Sequence, residues 1–241
     1  MNMKLKFFSL SLSVILIIIA DPLRAEINNK MRSEIRKEIE IYIKNNPGII
    51  RDALVSLAER EEQDQRKKGL AKVQVTEGDP IMGNPDGKLT IYTFSDYNCG
   101  YCKRMLKTLQ TLIAKNADLR LVIKEFPILN QLSVTAAKAG IAAQRQNKFE
   151  SFHIGMMNYR GQVTQQSIMN VAKEANIDLD QLRQDMNAFS TTKIIDRTRN
   201  AALALGINGT PGFVIGNTIL PGLVDIKRLQ ALIENERKKK G

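Results

Sequence analysis

The order of predicted elements constrains this chain more than any single residue does. Leu89 to Ser95 alternates and is rich in β-branched and aromatic residues, so it reads as a strand. Cys99 to Ala114 follows as a helix with Met105, Leu106, Leu109, Leu112 and Ile113 on one face. Leu119 to Phe126, closed by Pro127, is a second strand. From Gln131 to about Leu205 helical patterns follow one another with no strand signal. Gly212 to Ile219 then returns to strand, turning at Gly216-Asn217, and Val224 to Lys240 forms a closing helix. Strand–helix–strand, a helical insert, then a hairpin and a helix describe an α/β core interrupted by a helical subdomain.

The segments before this core read differently. In residues 1–25, Lys4 and Lys6 precede an apolar run from Phe7 to Ala20, and Leu23-Arg24-Ala25 offers a small residue for cleavage. This mostly apolar run of fourteen residues reaches about 21 Å, short of a hydrocarbon core of about 30 Å, so a signal peptide cleaved after Ala25 fits better than an anchor. Residues 26–68 predict two helices. Ile27, Met31, Ile35, Ile39 and Tyr42 make one stripe, and Ile49, Ile50, Ala53, Leu54, Leu57 and Ala58 another, with Asn46 as N-cap and Pro47 in the first turn. Eight of the ten residues from Glu59 to Lys68 are charged, which suits a solvated helical arm or linker. Such a stripe is covered either by the main domain or, as favoured here, by further copies of the chain, dimeric or trimeric. Gly69 and Gly78 bracket a lead-in, and Asn84-Pro85-Asp86-Gly87 is a turn.

Chemistry concentrates at Cys99-Gly100-Tyr101-Cys102, which holds both cysteines of the chain. At a strand-to-helix junction the first sulfur meets unsatisfied helix N–H groups and the positive dipole end, which favour its thiolate. The second sulfur, one turn on, closes an exchangeable disulfide with it. Chance placement at this spacing and half a zinc site are the competing readings, but zinc needs two more ligands and His153 is the lone imidazole. With no other cysteine to pair, an exported chain that keeps one adjacent thiol pair uses it for redox work. The net charge of +11 is spread along the chain, clustered only at Lys238, Lys239 and Lys240, and no basic stripe carries interleaved aromatics, so nucleic acid is not an expected partner.

A second motif, Gly209-Thr210-Pro211-Gly212, sets a proline after a Gly-rich turn at the start of a strand, a candidate cis peptide. Taken with Asn46-Pro47, Asp96-Tyr97-Asn98-Cys99-Gly100-Tyr101-Cys102, Lys124-Glu125-Phe126-Pro127 and Leu220-Pro221-Gly222, it makes the sequence resemble the DsbA family of thioredoxin-fold thiol–disulfide oxidoreductases. Within that family it is most similar to the ScsC-like and Com1-like group, which carries an N-terminal helical extension. The resemblance implies a thioredoxin fold over residues 69–241 with a helical insertion at about 131–205. It also implies that Cys99 is the attacking thiol, Cys102 the resolving one, and Pro211 a cis-proline facing them. Thr210 would then present backbone groups to an extended substrate segment.

Two features depart from the oxidases of that family. Gly100-Tyr101 stands where Pro-His is usual and, with Thr210, matches the DsbC and DsbG isomerases. A phenol stabilises the Cys99 thiolate less than an imidazolium does, so a less oxidising couple is expected. Thr93 stands where thioredoxin-like proteins often bury an acid, which leaves Glu125 either as the group that moves a proton at Cys102 or as a surface carboxylate. Asp96 is expected to brace the turn before Cys99, and His153 to be a surface or packing residue. The implied activity is isomerase or reductase action on misfolded exported proteins, in the periplasm, with a membrane redox partner for recycling. No cofactor is expected beyond the Cys99–Cys102 disulfide. A DsbA-type oxidase is the nearest alternative; a non-catalytic chaperone or a metal-binding protein on the same scaffold are more distant ones.

Overall fold

The computed structural model describes residues 29–240. The expected signal peptide, and Ile27 of the first stripe, lie outside the described residues. The chain divides into two compact units, the first ending at Ala58 and the second beginning at Glu59.

The first unit contains α1 (Asn29–Asn45) and the opening of α2 (Gly48–Lys72). No residue of α1 is buried, and Ile35, Ile39, Tyr42, Ile49 and Leu54 expose 43–60% of their surface. Asn46 does not cap α2 with its side chain as expected. Its amide donates to Tyr42 O at 2.8 Å and closes the end of α1, while its carbonyl accepts from Ile49 N. The charged stretch from Glu59 onward continues α2 as helix to Lys72. Gly69 does not break that helix. A Cβ there would lie 2.7 Å from Leu205 Cδ2 and 2.8 Å from Ala204 O, so the close packing of this turn requires glycine.

The second unit continues with β1 (Ile81–Gly83), β2 (Leu89–Ser95), α3 (Gly100–Lys115) and β3 (Leu119–Glu125). Five helices follow, α4 (Gln131–Arg145), α5 (Phe149–Asn158), α6 (Gln165–Glu174), α7 (Leu179–Asn187) and α8 (Phe189–Ala204), then β4 (Gly212–Ile215), β5 (Thr218–Pro221) and α9 (Ile226–Lys240). Polar caps punctuate the helical run: Asn130 accepts from Ser133 N, Thr164 and Ser167 form a capping box, and Asp178 accepts from Asp180 N and Gln181 N. Asp225 does the same for α9, accepting from Lys227 N at 2.7 Å, so that helix starts two residues later than its apolar pattern suggests.

The sheet order is β1-β3-β2-β4-β5. β2 and β3 run parallel with Leu89 opposite Leu119 and Ser95 opposite Glu125, a pairing that needs a crossover, and α3 supplies it. The other pairs are antiparallel. Both faces of the central strands are covered. Leu89 and Ile91 pack with Met105, Leu109 and Leu112 of α3 and with Leu229 and Ile233 of α9. Tyr92 and Phe94 pack on the opposite face with Ala201, Ala202 and Leu205 of α8. The helical insert has its own core, in which Phe152, Met156, Ile168, Val171 and Leu182 join Tyr97, Cys99 and Cys102. The insert therefore closes over the strand-to-helix junction rather than standing apart from it.

Candidate active site

Cys99 is the N-cap of α3, in extended backbone conformation, with its sulfur accepting from Cys102 N at 3.3 Å. Asp96 holds the preceding turn. One carboxylate oxygen accepts from Asn98 N at 2.8 Å and the other from Ile128 N and Leu129 N at 3.0 and 3.1 Å, while its carbonyl accepts from Cys99 N. This confirms its bracing role and ties the turn to the loop that leaves β3.

The peptide bond between Thr210 and Pro211 is cis. It brings the Thr210 carbonyl within 3.3 Å of the Cys99 sulfur, which donates to it as a thiol. Both cysteines are free thiols, and their acidities are driven apart. Cys99 is lowered to about 6, chiefly because the Cys102 thiol hydrogen-bonds its sulfur, helped by the Thr210 side chain and the Cys102 and Tyr101 N–H groups and opposed by burial. Cys102 is raised, first by that same hydrogen bond and then by burial. The pair thus holds one proton between two sulfurs, with the charge on the N-terminal one. Cys99 is 5% exposed, more covered than a freely reachable thiol, because Thr210 and the insert enclose it.

The other expected residues separate into two groups. Gly100 and Tyr101 lie at the mouth: a Cβ on Gly100 would meet nothing within 4 Å, and the Tyr101 ring is exposed under the Arg104 guanidinium at 4.3 Å. A groove of about 390 Å³ opens beside Cys99, lined by Tyr101, Ile207, Thr210, Pro211, Pro221 and Leu223 among others. Glu125, by contrast, is 1% exposed and is not a surface carboxylate. Its Oε1 accepts from the Tyr97 hydroxyl at 2.8 Å, and Oε2 has no hydrogen-bond partner. Burial, foremost, pushes its carboxyl well above the usual range, with the charge of Asp96 adding to the rise.

Sequence reasoning passed over Tyr97 and Ser95. The Tyr97 hydroxyl also meets His153 Nδ1 at 3.1 Å, and burial lowers that imidazole to about 3, so His153 is a buried neutral partner rather than a surface group. Ser95 is buried, and its hydroxyl hydrogen-bonds the Cys102 thiol. Register-paired residues on parallel strands point to the same face, so Glu125 is the side chain beside Ser95 on the face that carries Cys102. For Tyr97 a signal existed, an aromatic two residues before the thiol; Ser95 and Glu125 are brought together by strand register alone.

Among the described residues no three His, Cys, Asp or Glu side chains converge as a metal site, and no helix is long and apolar enough to cross a membrane. What the arrangement can do is exchange disulfides: an acidic thiol at a helix tip, a proton-holding thiol behind it, and an open backbone edge beside them.

Known proteins are similar in fold and sequence. A thioredoxin-like oxidoreductase from Silicibacter pomeroyi DSS-3 is 37% identical, with 69% of this chain and 96% of that one covered at a TM-score of 0.67. Proteus mirabilis ScsC in a transitional conformation is 28% identical, with 88% of this chain and 99% of that one covered at a TM-score of 0.65. The Na+/H+ antiporter NhaA of Herminiimonas arsenicoxydans shares 26% identity over 161 residues, and the match spans 66% of this chain but 26% of that protein. The chain thus spans about a quarter of the length of the curated relatives it matches. The model of the DSBA-like thioredoxin domain matches residues 90–234, from the second residue of β2 into α9. By that match, its mixed α/β sheet and its helical insert, the chain belongs to the DSBA-like thioredoxin family.

Proposed function

We propose that the chain is an exported disulfide isomerase or reductase that acts on misfolded cysteine-containing proteins. The split acidity of Cys99 and Cys102 beside the Thr210 carbonyl supports disulfide exchange, and the observation that carries the isomerase reading is the exposed apolar stripe on α1 and α2. The Cys99 thiolate attacks one sulfur of a substrate disulfide, and the second substrate sulfur leaves as thiolate. In reduction, Cys102 loses its proton and attacks the Cys99 sulfur; the enzyme is oxidised and the substrate cysteine is released reduced. In isomerisation, another substrate thiolate attacks the mixed disulfide, Cys99 leaves as thiolate, and the net redox state is unchanged.

Thr210 and the groove beside it suit an extended substrate strand whose cysteine meets Cys99. Glu125 serves as the proton store for Cys102 through the Ser95 hydroxyl. When Cys102 leaves as thiolate it takes a proton relayed from the carboxyl, and when it attacks it returns one. The unpartnered Oε2 and the raised acidity range support that role. No cofactor enters, since the electrons move between sulfurs. The leader-like residues 1–25 support export to the periplasm, where a membrane partner would reset the pair. The exposed apolar stripes of α1 and α2 support self-association, which suits an isomerase because facing active sites enclose a misfolded chain.

The oxidase reading keeps one observation: a Cys99 acidity of about 6 stabilises the reduced pair. Mature protein offered scrambled and fully reduced ribonuclease in parallel separates the two. Faster recovery of activity from the scrambled form supports the isomerase; rapid oxidation of the reduced form with no reshuffling supports the oxidase.

A further inference from the structure

Three cations surround the mouth of the site. Lys103 lies one turn after Cys99, its N–H donating to the Cys99 carbonyl at 3.1 Å, so the two residues share a helix face. Its side chain is held: Nζ donates to the Tyr159 carbonyl at 3.0 Å, at the C-terminal end of α5. Arg160 follows immediately, anchored through Met157 O at 3.4 Å. Lys103 and Arg160 act on each other, and burial together with the Arg160 charge lowers the proton affinity of the lysine. Arg104 stands on the other shoulder, over Tyr101.

Some cations of the unit that are at least partly buried meet carboxylates. Asp79 takes Lys124, Asp185 takes Arg145, and Asp118 takes Arg237. Among the described residues none of Lys103, Arg104 and Arg160 has an ion-pair partner. Two of them are fixed by backbone carbonyls in positions where they repel. The positive end of α3 adds to the same field. An acidic group docking against Cys99 would meet this field at close range.

We infer that the Lys103–Arg160–Arg104 rim selects polypeptide segments carrying Asp or Glu next to the reacting cysteine. The apolar groove on the Tyr101 and Leu223 side receives the uncharged flank of the same segment. Complementary charge at the mouth raises the rate of encounter and fixes which way the chain lies, more than it adds to affinity. This inference rests on the proposed reaction with protein disulfides.

The test uses reduced mature protein and three disulfide peptides identical except for Glu, Gln or Lys beside the cysteine, followed by stopped flow at low and high salt. At low salt the Glu peptide should react with Cys99 about tenfold faster than the Lys peptide, the lower end of electrostatic steering. Salt at about 0.5 M should compress that ratio severalfold. In a Lys103→Glu/Arg160→Glu variant the Glu-to-Lys preference, taken as a ratio within that variant, should invert, and an unchanged urea midpoint reports an intact fold. An unchanged Glu-to-Lys ratio in that variant, with the Gln peptide still reactive, overturns the rim inference alone. Failure of all three peptides to react in the native chain overturns the parent reading, and this one with it.

Discussion

The sulfur of Cys99 and the carbonyl oxygen of Thr210 lie 3.3 Å apart across 111 residues of sequence. As a thiol, Cys99 donates to that carbonyl; as a thiolate it takes hydrogen bonds from the Cys102 thiol, the Thr210 side chain and the N–H groups of Tyr101 and Cys102. Ionisation therefore frees the carbonyl, which is the acceptor an incoming strand needs.

The acidity of Cys99 links directly to stability. Its folded value is about 6, whereas an unfolded thiol titrates near about 8.5. A depressed acid stabilises the fold above its unfolded value and loses that contribution as pH falls through its folded value. Reduced protein should therefore gain on oxidised protein between pH about 6 and about 8.5, and lose the gain below 6. Cys102, whose acidity is raised, opposes this only above the ordinary thiol range. Urea unfolding of both redox forms at pH 5 and 8 measures it; an equal difference at the two pH values would contradict the assignment. Cys102→Ala removes the largest stabilising contact and should move the alkylation midpoint of Cys99 upward.

Glu125 acts on a different step. Glu125→Gln keeps an acceptor for the Tyr97 hydroxyl but has no proton to exchange. Formation of the mixed disulfide at Cys99 should be unaffected, while resolution by Cys102 slows by about 10²-fold, the low end for a lost general acid–base group. Single-turnover quench separates the steps. Ser95→Ala should slow the same step, and in both variants the pH dependence of resolution should flatten. Equal slowing of both steps would reduce Glu125 to packing.

Gly140 tests the polar cluster behind the motif. A Cβ there would come 2.7 Å from the Tyr97 hydroxyl oxygen, 2.9 Å from Glu125 Oε1 and 3.4 Å from Phe149 Cε2. Alanine gains about 1 kcal/mol of helix propensity inside α4. Overpacking a buried, hydrogen-bonded contact costs about 1–3 kcal/mol, so the clash outweighs the gain. Gly140→Ala should lower the urea midpoint with an unchanged slope.

How far the sequence could be read follows from where each signal resides. Cys99, Cys102 and the cis Thr210-Pro211 bond were legible because motif and turn chemistry are local. The helical run was legible because its periodicity and caps are local too. β1 was not: three residues are too few to show alternation, and β1 exists because Ile81 and Gly83 find Val122 and Arg120 on β3. The burial of His153 and Glu125 depends on Tyr97, 56 and 28 residues away. Asn46 lies between two helix ends, and residue type alone does not decide which of them its side chain serves.

The apolar stripes of the first unit carry the last prediction. Ile35, Ile39, Ile49, Ile50 and Leu54 are each more than two-fifths exposed, and fully burying such a side chain is worth about 1.5–3 kcal/mol. Water-exposed isoleucines on α1 and α2 therefore offer several kcal/mol to a partner copy, enough for stable association once its entropy cost is met. Ile39→Glu with Ile50→Glu removes two such contacts and places charge where the stripe would be buried, so self-association should weaken by about 100-fold or more. Light scattering on mature protein should show a multimer for the native chain and a single-chain mass for the double variant. Cys99 reactivity toward a small disulfide should be equal in both, because the substitutions lie outside the thioredoxin unit. Reshuffling of scrambled ribonuclease should fall with the mass. A native chain that scatters as a monomer would remove self-association, and with it the geometric argument for isomerase over oxidase.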